Sequence, residues 1–131
     1  MKKLKILMVD DSLVWIHVHK KALKACEDVF ELVIDVETSA KAGVEQGKCS
    51  NYDLVISDME MEDVGDKFAG EWLINHLKQL ENCQNTKFLV ISGAPEIQQI
   101  AARLNCDFIP KNIYFNNLQL LRYKLLEMFQ K

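Results

Sequence analysis

The chain has 131 residues, 49% of them apolar, and a net charge of −3, proportions that fit one compact domain able to bury a core. Its sequence pI of about 5.6 argues against nucleic acid as a partner, because phosphate binding needs a basic surface. No apolar run approaches the ~18 residues of a membrane span, and the short N-terminal run is stopped by two aspartates before it reaches the length of a signal peptide.

Leu4–Val9 is a buried-strand candidate. Ser12 is placed to cap a helix running to about Cys26, with Val14, Val18, Ala22 and Ala25 along one face. Phe30–Val36 is a second strand whose interspersed acids, Glu31 and Asp35, suggest a sheet edge. A short helix over Ser39–Cys49 and a third apolar strand over Tyr52–Ser57 follow. After a polar, acidic loop, Glu60–Lys67, comes a helix with Ala69, Trp72, Leu73, His76, Leu77 and Leu80 on one face. Lys87–Ile91 is the fourth strand. Pro95 fits the first turn of a helix carrying Ile97, Ile100, Ala101 and Leu104. Cys106–Ile109 is a short fifth strand, and one last helix runs from Tyr114 to about Gln130 with Leu118, Leu121, Leu125, Met128 and Phe129.

Five βα units with continuous apolar strands imply a parallel sheet covered on both faces. Right-handed crossovers then give a doubly wound (βα)5 sheet, most simply in the flavodoxin-like order 2-1-3-4-5. The expectation is one domain over residues 1–131 with no output domain. The cysteines, Cys26, Cys49, Cys83 and Cys106, form no CxxC pair. Small thiols in a reducing cytoplasm are therefore expected rather than zinc ligands or a disulfide framework.

In such a sheet, ligands bind beyond the carboxyl ends of the strands where the winding reverses, here between strands one and three. Asp10 and Asp11 follow strand one and Asp58 follows strand three. An aspartate after a strand is often only a cap or turn residue, and Asp11 or Ser12 singly fits that. Three acids at two neighbouring strand ends do not. Crowded carboxylates repel, forcing one to stay protonated unless a cation intervenes, and Mg2+ suits a few carboxylates plus water and phosphate oxygens. Ser92 at the end of strand four and Lys111 after strand five face the same rim. His17, His19 and His76 lie on helices without a paired nucleophile and read as surface or core residues, and Trp15 and Trp72 as packing residues. No Gly-rich phosphate loop follows strand one.

Taken together, Ile6–Ser12, Asp53–Met61, Phe88–Ala94 and Asp107–Lys111 resemble, in order and over the whole chain, the strand-end motifs of response-regulator receiver domains. The resemblance implies that Asp58 is the phosphoacceptor. It implies that Asp11 binds Mg2+ (or Mn2+) directly, that Asp10 positions it, and that the backbone carbonyl of Glu60 is a further ligand. Ser92 matches the switch hydroxyl, Lys111 the lysine that pairs with phosphoryl oxygens, and Phe108 the aromatic switch residue. On this resemblance the protein is a phosphorylation-controlled switch rather than an enzyme, charged by a histidine kinase or histidine phosphotransfer protein. It would act through contacts with a downstream effector protein, in the cytoplasm, as a monomer, without nucleic acid or membrane. Two alternatives accompany this: a receiver-like module working without phosphorylation, and a Mg-dependent phosphohydrolase with Asp10 as nucleophile, for which Ser12 stands where a second aspartate is wanted.

The sequence departs from that pattern in two places. Family members usually carry proline after the lysine; here Asn112 follows Lys111 and Pro110 precedes it. A cis Lys111–Asn112 bond would cost about 3 kcal/mol, so a trans or strained bond is expected. The loop after Asp58 lacks Met-Pro, its glycine (Gly70) comes late, and Glu62, Asp63 and Asp66 give it the look of a solvated loop. A partner contact is its functional alternative. Glu60 adds a carboxylate placed to alter hydrolysis of an acyl phosphate.

Overall fold

A computed structural model describes residues 1–65 and 68–130. Five parallel strands, β1 (Lys2–Val9), β2 (Phe30–Glu37), β3 (Leu54–Ser57), β4 (Lys87–Ser92) and β5 (Asp107–Pro110), form one sheet in the order β2-β1-β3-β4-β5, as the alternation of elements predicts. Connecting them are α1 (Leu13–Lys24), α2 (Ala40–Cys49), α3 (Ala69–Lys78), a 3-10 turn at Glu81–Cys83 and α4 (Ile97–Leu104), and after β5 come α5 (Lys111–Asn116) and α6 (Gln119–Phe129).

The nearly unbroken apolar strands divide their side chains between two cores, because successive residues point to opposite faces. Leu7, Val9, Val55 and Val90 pack under α2, α3 and α4 with Val44, Leu73, Leu77 and Ile100. Ile6, Met8, Ile56, Leu89 and Ile91 pack under α1, α5 and α6 with Ile16, Leu23, Tyr114 and Leu121. The edge position of β2 explains its acids. All four cysteines are free; Cys49 is exposed and the others are buried or half-buried. Among the described residues no helix is long and apolar enough to cross a membrane.

Three expectations change. The buried stripe of α1 is Ile16, His19, Ala22 and Leu23, whereas Val14 is 72% exposed and Ala25 is the exposed C-terminal cap. The two stripes share Ala22 but, at about 100° per residue, their centres lie about a third of a turn apart, so the expected stripe runs along the flank of the face that α1 turns to the core. On α3, Gly70 and Ile74 are buried, His76 is exposed, and Leu80 lies beyond the helix. The last helix is two. Asn117 leaves helical geometry, and its side-chain oxygen accepts the Gln119 amide at 3.2 Å, the local hydrogen bonding by which asparagine interrupts a helix. Helix α5 begins at Lys111, three residues before the expected start at Tyr114. Pro95 sits in the turn before α4, whose buried face is the expected Ile97, Ile100, Ala101 and Leu104. No peptide bond among the described residues is cis, so Lys111–Asn112 is trans.

The observed phase of α1 is testable by urea unfolding. Ile16→Ala is expected to cost about 2–4 kcal/mol and Val14→Ala less than about 0.5 kcal/mol. Equal losses would contradict the placement of these side chains.

Candidate functional site

Parallel registry brings the acids together. Val9 pairs with Ser57 across β1 and β3, so Asp10 and Asp58 leave neighbouring strands side by side. The Asp58 amide donates to the Val9 carbonyl at 3.1 Å. One carboxylate oxygen from each of Asp10, Asp11 and Asp58 lies within 4.8 Å of the other two. Asp10 and Asp58 are buried, and Asp11 is exposed. Lys111 closes the cluster, its Nζ 3.4 Å from Asp58 Oδ2 and 3.5 Å from Asp10 Oδ2.

Each acid is oriented by main chain. Asp10 Oδ1 accepts the Ser12 amide at 2.9 Å, and Ser12 in turn caps α1 by accepting the Trp15 amide. Asp58 Oδ1 accepts the Met59 amide at 2.8 Å, while Ser57 Oγ donates to the Asp58 carbonyl at 2.7 Å. These bonds leave Asp58 Oδ2 turned toward Lys111. Asp10 Oδ2 is buried with no hydrogen-bond partner.

The electrostatics follow from crowding. Burial pushes the Asp58 carboxyl above the ordinary carboxylate range; Lys111 opposes the rise and Asp10 adds to it. Asp11 is also raised, by burial and by the charges of Asp10 and Glu62. At Asp10, burial acts upward, but the His19 imidazole, the Ser12 amide and Lys111 together outweigh it, and its carboxyl is lowered. The third acid thus holds its charge at the expense of the other two, as expected for like charges in one crevice.

Of the remaining predicted residues, Ser92 is fully buried at the end of β4, its hydroxyl accepting the Ala94 amide at 3.1 Å. Phe108 is half-buried, packed at the margin of the α2–α3–α4 core and lining an outward groove with Pro110, Ile113, Leu120 and Tyr123. Glu60 is exposed just past Met59. Sequence reading missed the back wall. His19 is buried with Nε2 3.6 Å from Asp10 Oδ2 and Nδ1 3.1 Å from the Tyr114 hydroxyl. The Trp15 ring lies under Lys111, 4.6 Å from Nζ to centroid. The signal was present as the spacing of Trp15 and His19, four residues apart and so on one helix face, just downstream of the acid pair.

No family model matches the sequence, and no curated protein matches it. Solved structures do match. Chemotaxis response regulator CheY4 of Vibrio cholerae aligns at TM-score 0.78 and 17% identity, covering 96% of this chain and 98% of that one. A two-component response regulator from Clostridium difficile aligns at TM-score 0.77 and 20% identity over 98% and 97%. Response regulator TrrA of Thermotoga maritima, solved in complex with Mg(2+)-BeF, aligns at TM-score 0.71 and 24% identity over 96% and 100%. This chain has the receiver-domain fold.

The loop after Asp58 of this receiver fold is less solvated than its composition suggests. Asp63 caps α2 from outside, Oδ1 accepting the Ala40 amide at 3.0 Å and Oδ2 the Lys41 amide at 2.8 Å, a favourable place for a negative charge. Asp66 and Lys67 lie outside the described residues. Gly70, the late glycine, donates its amide to the Met59 carbonyl at 3.0 Å. A Cβ there would collide with the Asp58 carbonyl oxygen and stand 2.9 Å from the Met59 Cα. Both neighbours are backbone, so they cannot rotate away.

Gly70→Ala is expected to cost about 1–3 kcal/mol by urea unfolding, whereas Gly65→Ala, with nothing within 4 Å, stays within about 0.5 kcal/mol. A silent Gly70→Ala would contradict the contact. Burial acts to raise Asp63, but the Lys41 and Ala40 amides outweigh it and its carboxyl lies below the usual range. A folded-state value below the unfolded one adds stability above the ordinary carboxyl range and loses it as pH falls through the lowered value. The deficit of Asp63→Ala, about 1–2 kcal/mol at pH 7, therefore shrinks toward zero on acidification below about pH 4. A deficit that stays constant down to pH 2 would refute the charged cap.

Proposed function

We propose that the protein is a response-regulator receiver that accepts a phosphoryl group on Asp58 from a phosphohistidine of a histidine kinase or histidine phosphotransfer protein. It then signals through contacts with an effector protein in the cytoplasm. The observation that carries the reading is the convergence of Asp10, Asp11 and Asp58 within 4.8 Å with Lys111 reaching two of them, at the strand ends where a doubly wound sheet binds its ligands.

With Oδ1 held by the Met59 amide, Oδ2 of Asp58 is the attacking oxygen. A bond forms from Oδ2 to phosphorus and the phosphorus–nitrogen bond breaks. Its electron pair returns to the donor imidazole, which takes a proton from solvent, and Asp58 becomes an acyl phosphate. Such a transfer asks for in-line positioning and charge neutralisation more than proton transfer. Lys111 Nζ, already beside Oδ2, pairs with the phosphoryl oxygens. Ser92 keeps the Ala94 amide as donor and retains its own O–H to give to the phosphoryl group.

An all-oxygen donor set with a buried Asp10 Oδ2 that accepts no hydrogen bond fits a hard divalent cation. Asp11, Asp58 and the Glu60 carbonyl would hold it directly and Asp10 from behind. Magnesium or manganese, when bound, neutralises charge on the oxygens being transferred. Movement of Ser92 toward the new charge frees space for Phe108, which sits between the core and the outward groove, and alters the surface offered to an effector. The reading of Asp10 as a hydrolase nucleophile has less support: it is 1% exposed, Oδ1 is bonded to the Ser12 amide, and Oδ2 faces His19 and Lys111.

Incubation with Mg2+ and phosphoramidate, followed by intact mass measurement, tests the proposal. Wild type is expected to gain one phosphoryl adduct, Asp10→Asn to gain it more slowly, and Asp58→Asn to lose it by more than about a hundredfold. An adduct that persists in Asp58→Asn, or turnover of simple phosphate esters, would overturn the assignment.

A further inference from the structure

Lys111 stands in an unusual position for a residue that must hold an ammonium in place. It opens α5, and a helix N-terminus disfavours a cation. Its stem has four rotatable carbons, whose freedom costs up to about 2 kcal/mol to suppress. Neither carboxylate pins it tightly. The contacts of 3.4 and 3.5 Å are longer than the roughly 2.7–2.9 Å of a strong charge-assisted bond. Yet its side chain is only 12% exposed. Something on the remaining side keeps the ammonium from turning outward.

That side is the Trp15 ring. Its centroid is 4.6 Å from Nζ, well inside the roughly 6 Å reach of a cation–π contact. The ring is itself held from behind. Trp15 stacks on Tyr114 at 6.1 Å and 22° and leans on His19 at 5.8 Å. His19 stacks on Tyr114 at 5.5 Å and exchanges a hydrogen bond with its hydroxyl. Trp15 and His19 share one face of α1, four residues apart, and Lys111 and Tyr114 one face of α5, three apart. The two faces meet in a single aromatic stack, fully buried at Tyr114 and edged by Phe115 against Trp15.

We propose that Trp15 is a positioning residue. Its ring, backed by Tyr114 and His19, forms the wall that holds the Lys111 ammonium between Asp10 and Asp58. The location of the lysine is thereby set by α1, nearly a hundred residues away in the chain. The consequence for phosphoryl transfer rests on the function proposed above; the clamp itself does not.

A Trp72→Phe background leaves Trp15 as the sole tryptophan of the two in the chain and separates the two claims. Removing the ammonium by Lys111→Met in that background is expected to shift the emission maximum and intensity of Trp15, with or without phosphodonor. Unchanged emission would overturn the clamp. For the rate, Trp15→Leu is expected to slow adduct formation with phosphoramidate and Mg2+ about tenfold, and Trp15→Phe, which keeps a ring face, less than about threefold. In the Lys111→Met background, Trp15→Leu should change the residual rate less than about twofold. An equal slowing with and without Lys111 would show that Trp15 merely supports the fold, and overturns the proposal. Should the parent form no adduct on Asp58, the receiver reading falls while the emission experiment still decides the clamp.

Discussion

Mutual repulsion among Asp10, Asp11 and Asp58 is the constraint around which this molecule is arranged. Three carboxylates with one oxygen of each within 4.8 Å of the others, two of them buried, would spread apart if the chain allowed it. The chain does not. Asp58 is tied through its amide to β1, through its carbonyl to Ser57, and through Oδ1 to Met59. Asp10 is tied to Ser12 and, through its amide, to the Glu37 carbonyl of β2. Hydrogen bonds to main chain hold the acids where Coulomb's law disfavours them. The repulsion, which Lys111 only partly offsets, is what makes the crevice attractive to a divalent cation.

The loop beyond Asp58 serves the same end by packing rather than by charge. Gly70 lets α3 start against the Asp58 carbonyl, a closeness that any side chain would forbid. Asp63 turns back to close the N-terminus of α2, where Ser39 already caps the Ala42 amide. An acidic loop whose composition suggests solvation is thus spent partly on structure, and its charges do not all face a partner.

How much of this the sequence disclosed depends on whether the signal was local. Unbroken apolar strands separated by helical periods determine the sheet order, because right-handed crossovers leave few windings. The acids, Ser92 and Lys111 were legible because each stands at the carboxyl end of a strand or within two residues of it, where the fold places ligands. The face of α1 was not. Val14 and Val18 look more core-like than His19, yet the helix turns His19 inward, where a hydrogen bond shared with the Tyr114 hydroxyl satisfies a ring nitrogen and makes burial of a polar ring tolerable. Nothing near Trp15 in sequence announces a cation, since Lys111 arrives from the far end of the chain. The break at Asn117 was hidden for the opposite reason: the apolar pattern runs through it, and only the side-chain bond to Gln119 shows why the helix stops.

These features divide the site into a stiff half and a soft half. On one side Asp10, Lys111, Trp15, His19 and Tyr114 form a wall in which Tyr114, Asp10 and His19 are nearly inaccessible to solvent and every ring stacks on another. Movement there would cost several contacts at once, because close-packed interiors yield in steps rather than by degrees. On the other side Ser92 meets the rim through one amide bond to Ala94, and Phe108 is half in the core and half in an open groove. On the proposed reading, charge placed on Asp58 Oδ2 pulls on both halves, and only the soft one can answer. The same crowding that makes the site a good acceptor then directs the response toward β4, β5 and the groove beside Phe108.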